Sequence, residues 1–158
     1  VTMIPMPFNS LLWRGIAIDG DRYVNVYRSV LDSRREAPLH AHPRNLVFDT
    51  ALDDYPPPQR VEAFSNGNYA YRRDGEDILI SDLRMGVTPD YVFTFRVGSV
   101  RDVAALDGEG TRTAEPAGID PAATIAPAPI ARVQSDRDLS GAGWLWRRIF
   151  DEDAARVE

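Results

Sequence analysis

Residues 65–99 read SNGNYAYRRDGEDILISDLRMGVTPDYVFTFRVGS. Three successive antiparallel strands are expected here. In the last, Tyr91, Phe93, Phe95 and Val97 alternate with Val92, Thr94 and Arg96. That is the period-two pattern of a half-buried strand built from aromatic and β-branched residues. Ile78-Leu79-Ile80 is a short apolar run ending at Ser81-Asp82, and Tyr69 and Tyr71 share a face of the strand before it. Asp74-Gly75 stands between those two strands; the pair supplies the positive φ angles of a tight hairpin turn. The next connection, residues 84–90, is longer and contains Gly86 and Pro89. Proline cannot donate to a ladder, so a loop is expected there.

Towards the N-terminus, residues 12–18 and 22–31 form a second expected hairpin about Asp19-Gly20-Asp21. In its second strand Val24, Val26 and Val30 share a face with Arg28, while Tyr23, Asn25 and Tyr27 lie opposite. Both faces are partly apolar, which fits a helix on one side and a loop or partner on the other. Residues 1–10 read as an extended lead-in and 32–44 as a polar connection. Residues 45–52 read as a short helix or an irregular segment. Pro56-Pro57-Pro58 opens a helix through about residue 65, where proline is tolerated because the first turn has unpartnered amides anyway. Asn66-Gly67 ends it with a left-handed cap.

Towards the C-terminus the composition shifts. Residues 114–131, AEPAGIDPAATIAPAPIA, are a Pro/Ala-rich stretch that cannot build a core of its own. From Trp144 to Phe150 an amphipathic helix is expected at about 143–151, with a wide apolar face. The expected layout is a sheet core with one helix over 1–100, a linker over 101–135 that wraps the domain or is disordered, and a helix of the same domain in 136–158.

The chain has 158 residues, 44% hydrophobic and 27% charged, enough for one ordinary globular domain. It has no cysteine, which excludes disulfides and thiolate metal sites. Its 18 basic residues are all arginine. A formal charge of −6 argues against nucleic acid as the main partner, since phosphate binding needs a basic field. No apolar run approaches the roughly 20 residues of a membrane span, and no signal-peptide pattern is present. A first residue of Val suggests an excised or processed piece.

Four groups of residues have chemical potential. His40 and His42 are metal-ligand types, which Asp32, Asp49 or Glu36 would complete. The spacing is unspecific, and a solvated, proline-flanked loop is the simpler reading. Asp82 and Arg84, two apart at a strand end, share a face. With Arg14 they would hold an anion or orient a substrate; an Asp–Arg pair closing the sheet is the plainer reading. The tyrosines and Trp13 read as packed aromatics more readily than as a stacking platform, which needs a positive groove. Trp144, Trp146, Arg147 and Phe150 suit either a membrane or partner contact or packing on the sheet. There is no Gly-rich phosphate loop and no coherent nucleophile–base set, so a catalytic site is not expected from the residues alone.

PMPFNSLLWRG (5–15), AFSNGNYAY (63–71), ISDLRMGVTPDYVFTFRV (80–97) and GWLWRRI (143–149) together resemble the C-terminal soluble region of bacterial membrane-bound metal-dependent hydrolase-like proteins. The resemblance covers most of the chain apart from the Pro/Ala stretch and the acidic tail. It implies an inner-membrane parent, with the cytoplasmic side favoured. It also implies an N-terminal transmembrane region as partner, and a divalent metal held by that region. None of those ligands falls on the residues here, so no cofactor is expected in this chain.

The expected fold is α+β, a predominantly antiparallel sheet of about five strands with one crossing helix and a C-terminal amphipathic helix. The expected function is a non-catalytic accessory domain that binds a partner, a ligand or the membrane surface. The alternative is a small metal-assisted hydrolase using His40, His42 and nearby carboxylates.

Overall fold

A computed structural model describes residues 1–7, 9–102, 123–133 and 142–154. The α+β fold is present, with its strands shared between two four-stranded antiparallel sheets instead of one sheet of five. Sheet A is β1 (Thr2–Pro5), β2 (Leu12–Asp19), β3 (Arg22–Ser29) and β4 (Leu39–Pro43), in that order. After α1 (Val47–Ala51) and α2 (Pro56–Phe64), sheet B is built from β5 (Tyr69–Asp74), β6 (Asp77–Asp82), β9 (Thr94–Asp102) and β10 (Ala123–Arg132). Its order is β10-β9-β6-β5. A two-residue ribbon, β7 (Gly86–Val87) with β8 (Asp90–Tyr91), sits in the loop between β6 and β9, and α3 (Ala142–Phe150) closes the described chain.

Both Asp-Gly hairpins form. Gly20 and Gly75 have φ of 56° and 60°, the left-handed values such turns demand. Residues 91–97 are not one continuous strand. Tyr91 pairs with Gly86 in β8, the chain bends at Val92-Phe93, and β9 begins at Thr94. Tyr91 and Val97 are both buried, but in different cores, so the alternation spans two elements. Part of the Pro/Ala stretch is also ordered: β10 pairs with β9, from Ala123 opposite Asp102 to Arg132 opposite Phe95. Pro127 and Pro129 lie in this edge strand, where a missing N–H costs no ladder bond.

Three apolar clusters hold the layers. Phe48, Leu52 and Val61 from the helical segment pack on Tyr71, Ile78, Ile80 and Val97 of sheet B. Ile16 and Tyr23 of sheet A meet Ala70, Leu83 and Tyr91 between the sheets. Trp144 and Ile149 of α3 pack on Leu12 and Tyr27 of sheet A. Ile149 is 1% exposed, and burying such a side chain stabilises by about 2 kcal/mol. β6 is central and buried on both faces from Ile78 to Asp82, which explains its unbroken apolar run. Arg44 stitches the two sheets, donating to the carbonyls of Gly20, Gly67 and Tyr69.

Candidate interaction surface and polar clusters

Each residue of the expected anion set is engaged with protein partners. The Arg14 side chain is 1% exposed. It donates from Nε and Nη2 to Asn25 Oδ1 (3.0 and 2.8 Å), and from Nη1 to the carbonyls of Leu83 and Gly86 (2.8 Å each). A further Nη2 bond goes to the Tyr91 hydroxyl (3.1 Å). Five donors meet neutral oxygens, so the guanidinium is spent on holding loop 83–91 against sheet A. Gly86 fits this loop for a steric reason. Its φ is 116°, and a Cβ there would stand 2.7 Å from Tyr91 Cα. Asp82, also 1% exposed, forms a forked pair with Arg84 (Nη2–Oδ2 2.7 Å, Nε–Oδ1 3.0 Å). Arg84 also donates to the Phe64 carbonyl and lies over the Phe64 ring. Asp82 and Arg84 thus close the end of sheet B on the α2 terminus. The motif that carries the resemblance is occupied with internal structure.

His40 and His42 lie on a strand, β4, and not in a loop. Two apart, they share the inner face of sheet A, where His42 stacks on Tyr23 (centroids 5.0 Å apart) and His40 meets Tyr27 edge-on at 6.1 Å. Of the carboxylates proposed beside them, Asp32 is bound to Arg148, and Asp49 lies by Tyr69 and Tyr71. Among the described residues no group of three or more His, Asp or Glu side chains is placed to hold a metal.

One polar cluster, around Glu62, Asp49, Tyr69 and Tyr71, has, as a cluster, no sequence signal. The Tyr71 hydroxyl donates to Glu62 Oε1 (3.0 Å) and lies 3.5 Å from Asp49 Oδ1, while Tyr69 donates to Asp49 Oδ2 (3.3 Å). Burial, a hydrogen bond to Asp49 and the charge of that carboxylate push the Glu62 acid up to about 7. Desolvation and the same carboxylates raise both tyrosines, Tyr69 to about 12. The pairing of Tyr69 with Tyr71 on one face was legible; that α1 and α2 each bring a carboxylate to it was not.

α3 divides the expected contact set. Trp144 faces inward, 8% exposed, and its ring meets Tyr27 at 5.1 Å in a perpendicular contact. Trp146 and Phe150, one turn apart, face solvent at 57% and 76% exposure, with Arg147 also exposed. Arg148 points inward and pairs with Asp32 through two bonds of 2.7 and 2.8 Å. A groove of about 190 Å³ lies beside this pair, with Tyr27, His40, Trp144 and Arg34 among its walls.

The largest unexplained feature is a sheet face. The register puts Pro5, Trp13 and Arg28 in one cross-strand row of sheet A, and Met3, Gly15, Val26 and Leu39 in the next. Ala17, Val24 and Ala41 form a third row. These side chains point away from α3 and sheet B, since the opposite face carries Leu12, Arg14, Ile16, Tyr23 and Tyr27. Leu39 is 71% and Met3 53% exposed; Trp13, Ala17, Val24 and Val26 are half-buried. Beyond the first row, Val30 donates to the Leu11 carbonyl and is 61% exposed. An apolar face of this kind, with few charges, marks an interaction surface. Alternation along β3 predicted its Val24–Val26 centre; the contributions of β1 and β4 became visible only with the pairing.

Among the described residues no helix is long and apolar enough to cross a membrane. In comparisons with protein-family models, curated proteins and solved structures, the chain matches none.

Proposed function

We propose that this chain is a soluble, non-catalytic accessory domain of an integral membrane protein of the metal-dependent-hydrolase-like kind, and that it docks on the membrane-spanning region of its own parent chain. The observation that carries the reading is the open apolar face of sheet A, with Leu39 and Met3 more than half exposed at its two edges. The internal use of Arg14, Asp82 and Arg84 supports it from the other side, because the polar residues with most chemical promise already have protein partners. The surface is also the right size for a tethered contact. It presents nine apolar residues (Met3, Pro5, Trp13, Ala17, Val24, Val26, Val30, Leu39 and Ala41) where a free-standing interface uses roughly 20–30 a side. Tethering supplies the missing affinity through effective concentration.

The test is co-purification in detergent of the chain with the membrane region encoded upstream of it. The wild type is expected to be retained, and Leu39→Glu combined with Val26→Lys to be released. Retention of the double variant, or no retention of the wild type, would sink the docking reading. A parallel assay with zinc, manganese and simple phosphoesters is expected to show no turnover. Metal-dependent turnover lost in His40→Ala and His42→Ala would replace this reading with the enzymatic one.

A further inference from the structure

We infer that the groove walled by Tyr27 of β3, His40 of β4 and Trp144 of α3 is a binding site for a small organic cation, an alkylammonium or guanidinium head group. It lies on the face of sheet A that α3 covers, so the inference does not depend on docking at the opposite face. The groove has a volume of about 190 Å³. Sites for drug-sized ligands run to roughly 300–1,000 Å³, so this one suits a head group and no more. Three rings line it. Tyr27 meets His40 at 65° with centroids 6.1 Å apart, and Trp144 at 84° and 5.1 Å. Rings set steeply to one another around a cavity are how aromatic side chains enclose a cation, through the negative charge of their π faces. The Trp144 Nε1–H already donates to the Ala154 carbonyl (3.1 Å). The indole therefore offers a ligand its π system and not its donor.

The charges around the groove select the sign of the ligand. Four carboxylates, Asp32, Glu36, Glu152 and Asp153, line it against two guanidiniums, Arg34 and Arg148, a formal excess of two negative charges. Neither guanidinium is open to an anion. Arg148 is forked on Asp32 (2.7 and 2.8 Å) and donates to the Tyr27 carbonyl (3.0 Å). Arg34 is forked on Asp153 and lies 3.5 Å from Glu152. One arginine thus faces two carboxylates, and one negative charge is left over beside it. Glu152 is held there by the N–H groups of Ser33 and Arg34 and by the Ser33 hydroxyl, neutral donors that fix the carboxylate without discharging it. The second excess charge is Glu36, exposed on the loop before β4. A metal ion fits worse, because among the described residues no group of three His, Asp or Glu is placed to hold one. An organic cation needs no such shell, since ring faces and nearby counter-charge suffice.

The probes are choline and its neutral isostere, in which carbon replaces the ammonium nitrogen. Each is titrated into the 158-residue chain at an ionic strength matched with sodium chloride, and followed by backbone-amide and indole N–H shifts. Choline is expected to give saturable shifts at Tyr27, His40 and the Trp144 indole. Half-saturation is expected at roughly 1–10 mM, the scale of a small head group held by rings and screened charge. The isostere has the same shape without the charge and is expected to bind about tenfold more weakly. Glu36→Gln, on an exposed loop, is expected to weaken choline about two- to fivefold without moving the thermal midpoint. His40→Leu keeps an apolar wall but removes a ring, and is expected to weaken it about three- to tenfold. Trp146→Ser, on the solvent side of α3, is expected to leave binding unchanged, which separates the groove from the exposed helix face. Three results overturn the inference: no saturable shift with choline, equal binding of the isostere, or wild-type affinity in both Glu36→Gln and His40→Leu.

Discussion

At the scale of single residues, Arg14 and Glu62 show how burial converts ionisable side chains into structure. Arg14 is a cation enclosed by five neutral contacts. Arg14→Met leaves the Leu83 and Gly86 carbonyls unpaired against sheet A. Stranding buried acceptors costs about 1–3 kcal/mol, so a loss of about 3 kcal/mol is expected in urea denaturation. Arg14→Lys is expected to recover only part of it, since an ammonium has three donors and no planar fork. Glu62 gives a pH signature. Its acid is raised from 4.5 to about 7, so the folded chain keeps a proton that the unfolded chain has lost. The stability this confers is full below about pH 4.5 and is lost as pH rises through 7. Glu62 is half-buried, and solvent screening reduces the effect to about 1 kcal/mol. Thermal midpoints are expected to fall between pH 5 and pH 8 in the wild type and to stay level there in Glu62→Gln. An equal slope in both proteins would assign the effect elsewhere. Neither residue's role was legible in sequence. Arg14 sits 69 positions from the Leu83 carbonyl it binds, and Glu62 sits in a helix whose pattern reads as ordinary.

At the scale of elements, local signals worked where the element is closed by its own neighbours in sequence. The Asp-Gly turns, the triple proline opening α2 and the alternation along β3 all belong to this kind. They worked poorly where an element exists only because of a distant partner. β10 is the example: its composition reads as linker, and only its pairing with β9 makes it a strand. α3 lies between these cases. Its helical spacing was plain, but which turn faces inward is set by the Asp32–Arg148 pair, 116 residues apart and with both side chains nearly buried. Asp32→Asn is expected to destabilise by about 3 kcal/mol, because it leaves the Arg148 charge buried and unpaired. The perpendicular contact of Trp144 with Tyr27 makes near-ultraviolet circular dichroism the readout of α3 undocking. Arg148 holds the Asp32 carboxyl below its ordinary value of 3.8. The pair's contribution is therefore present above that value and fades only as pH falls below it. An unchanged aromatic signal in the variant would show that α3 stays docked by apolar contacts alone.

At the scale of the whole molecule, sheet B is covered by the α1–α2 segment on one face and by sheet A on the other, α3 packs on sheet A, and among the described residues one face of sheet A is left over. Because that face is solvent-exposed in the isolated domain, charge placed on it costs little. Leu39→Glu is expected to change unfolding free energy by no more than about 0.5 kcal/mol. A large destabilisation would mean that Leu39 is part of the core, against its exposure. The sequence by itself determined β2, β3, β5 and β6, their two hairpin turns, helices α2 and α3, and the absence of thiol chemistry. Each of these depends on residues within a few positions of one another, where period, turn chemistry and propensity act directly. Tertiary structure alone decided that five expected strands belong to two sheets, that the polar motif residues are consumed internally, and that β1 to β4 assemble an apolar surface. Those outcomes depend on which distant segments pair. Alternation along a strand divides its side chains between two faces, but only its neighbours decide which face is covered and which remains open to a partner.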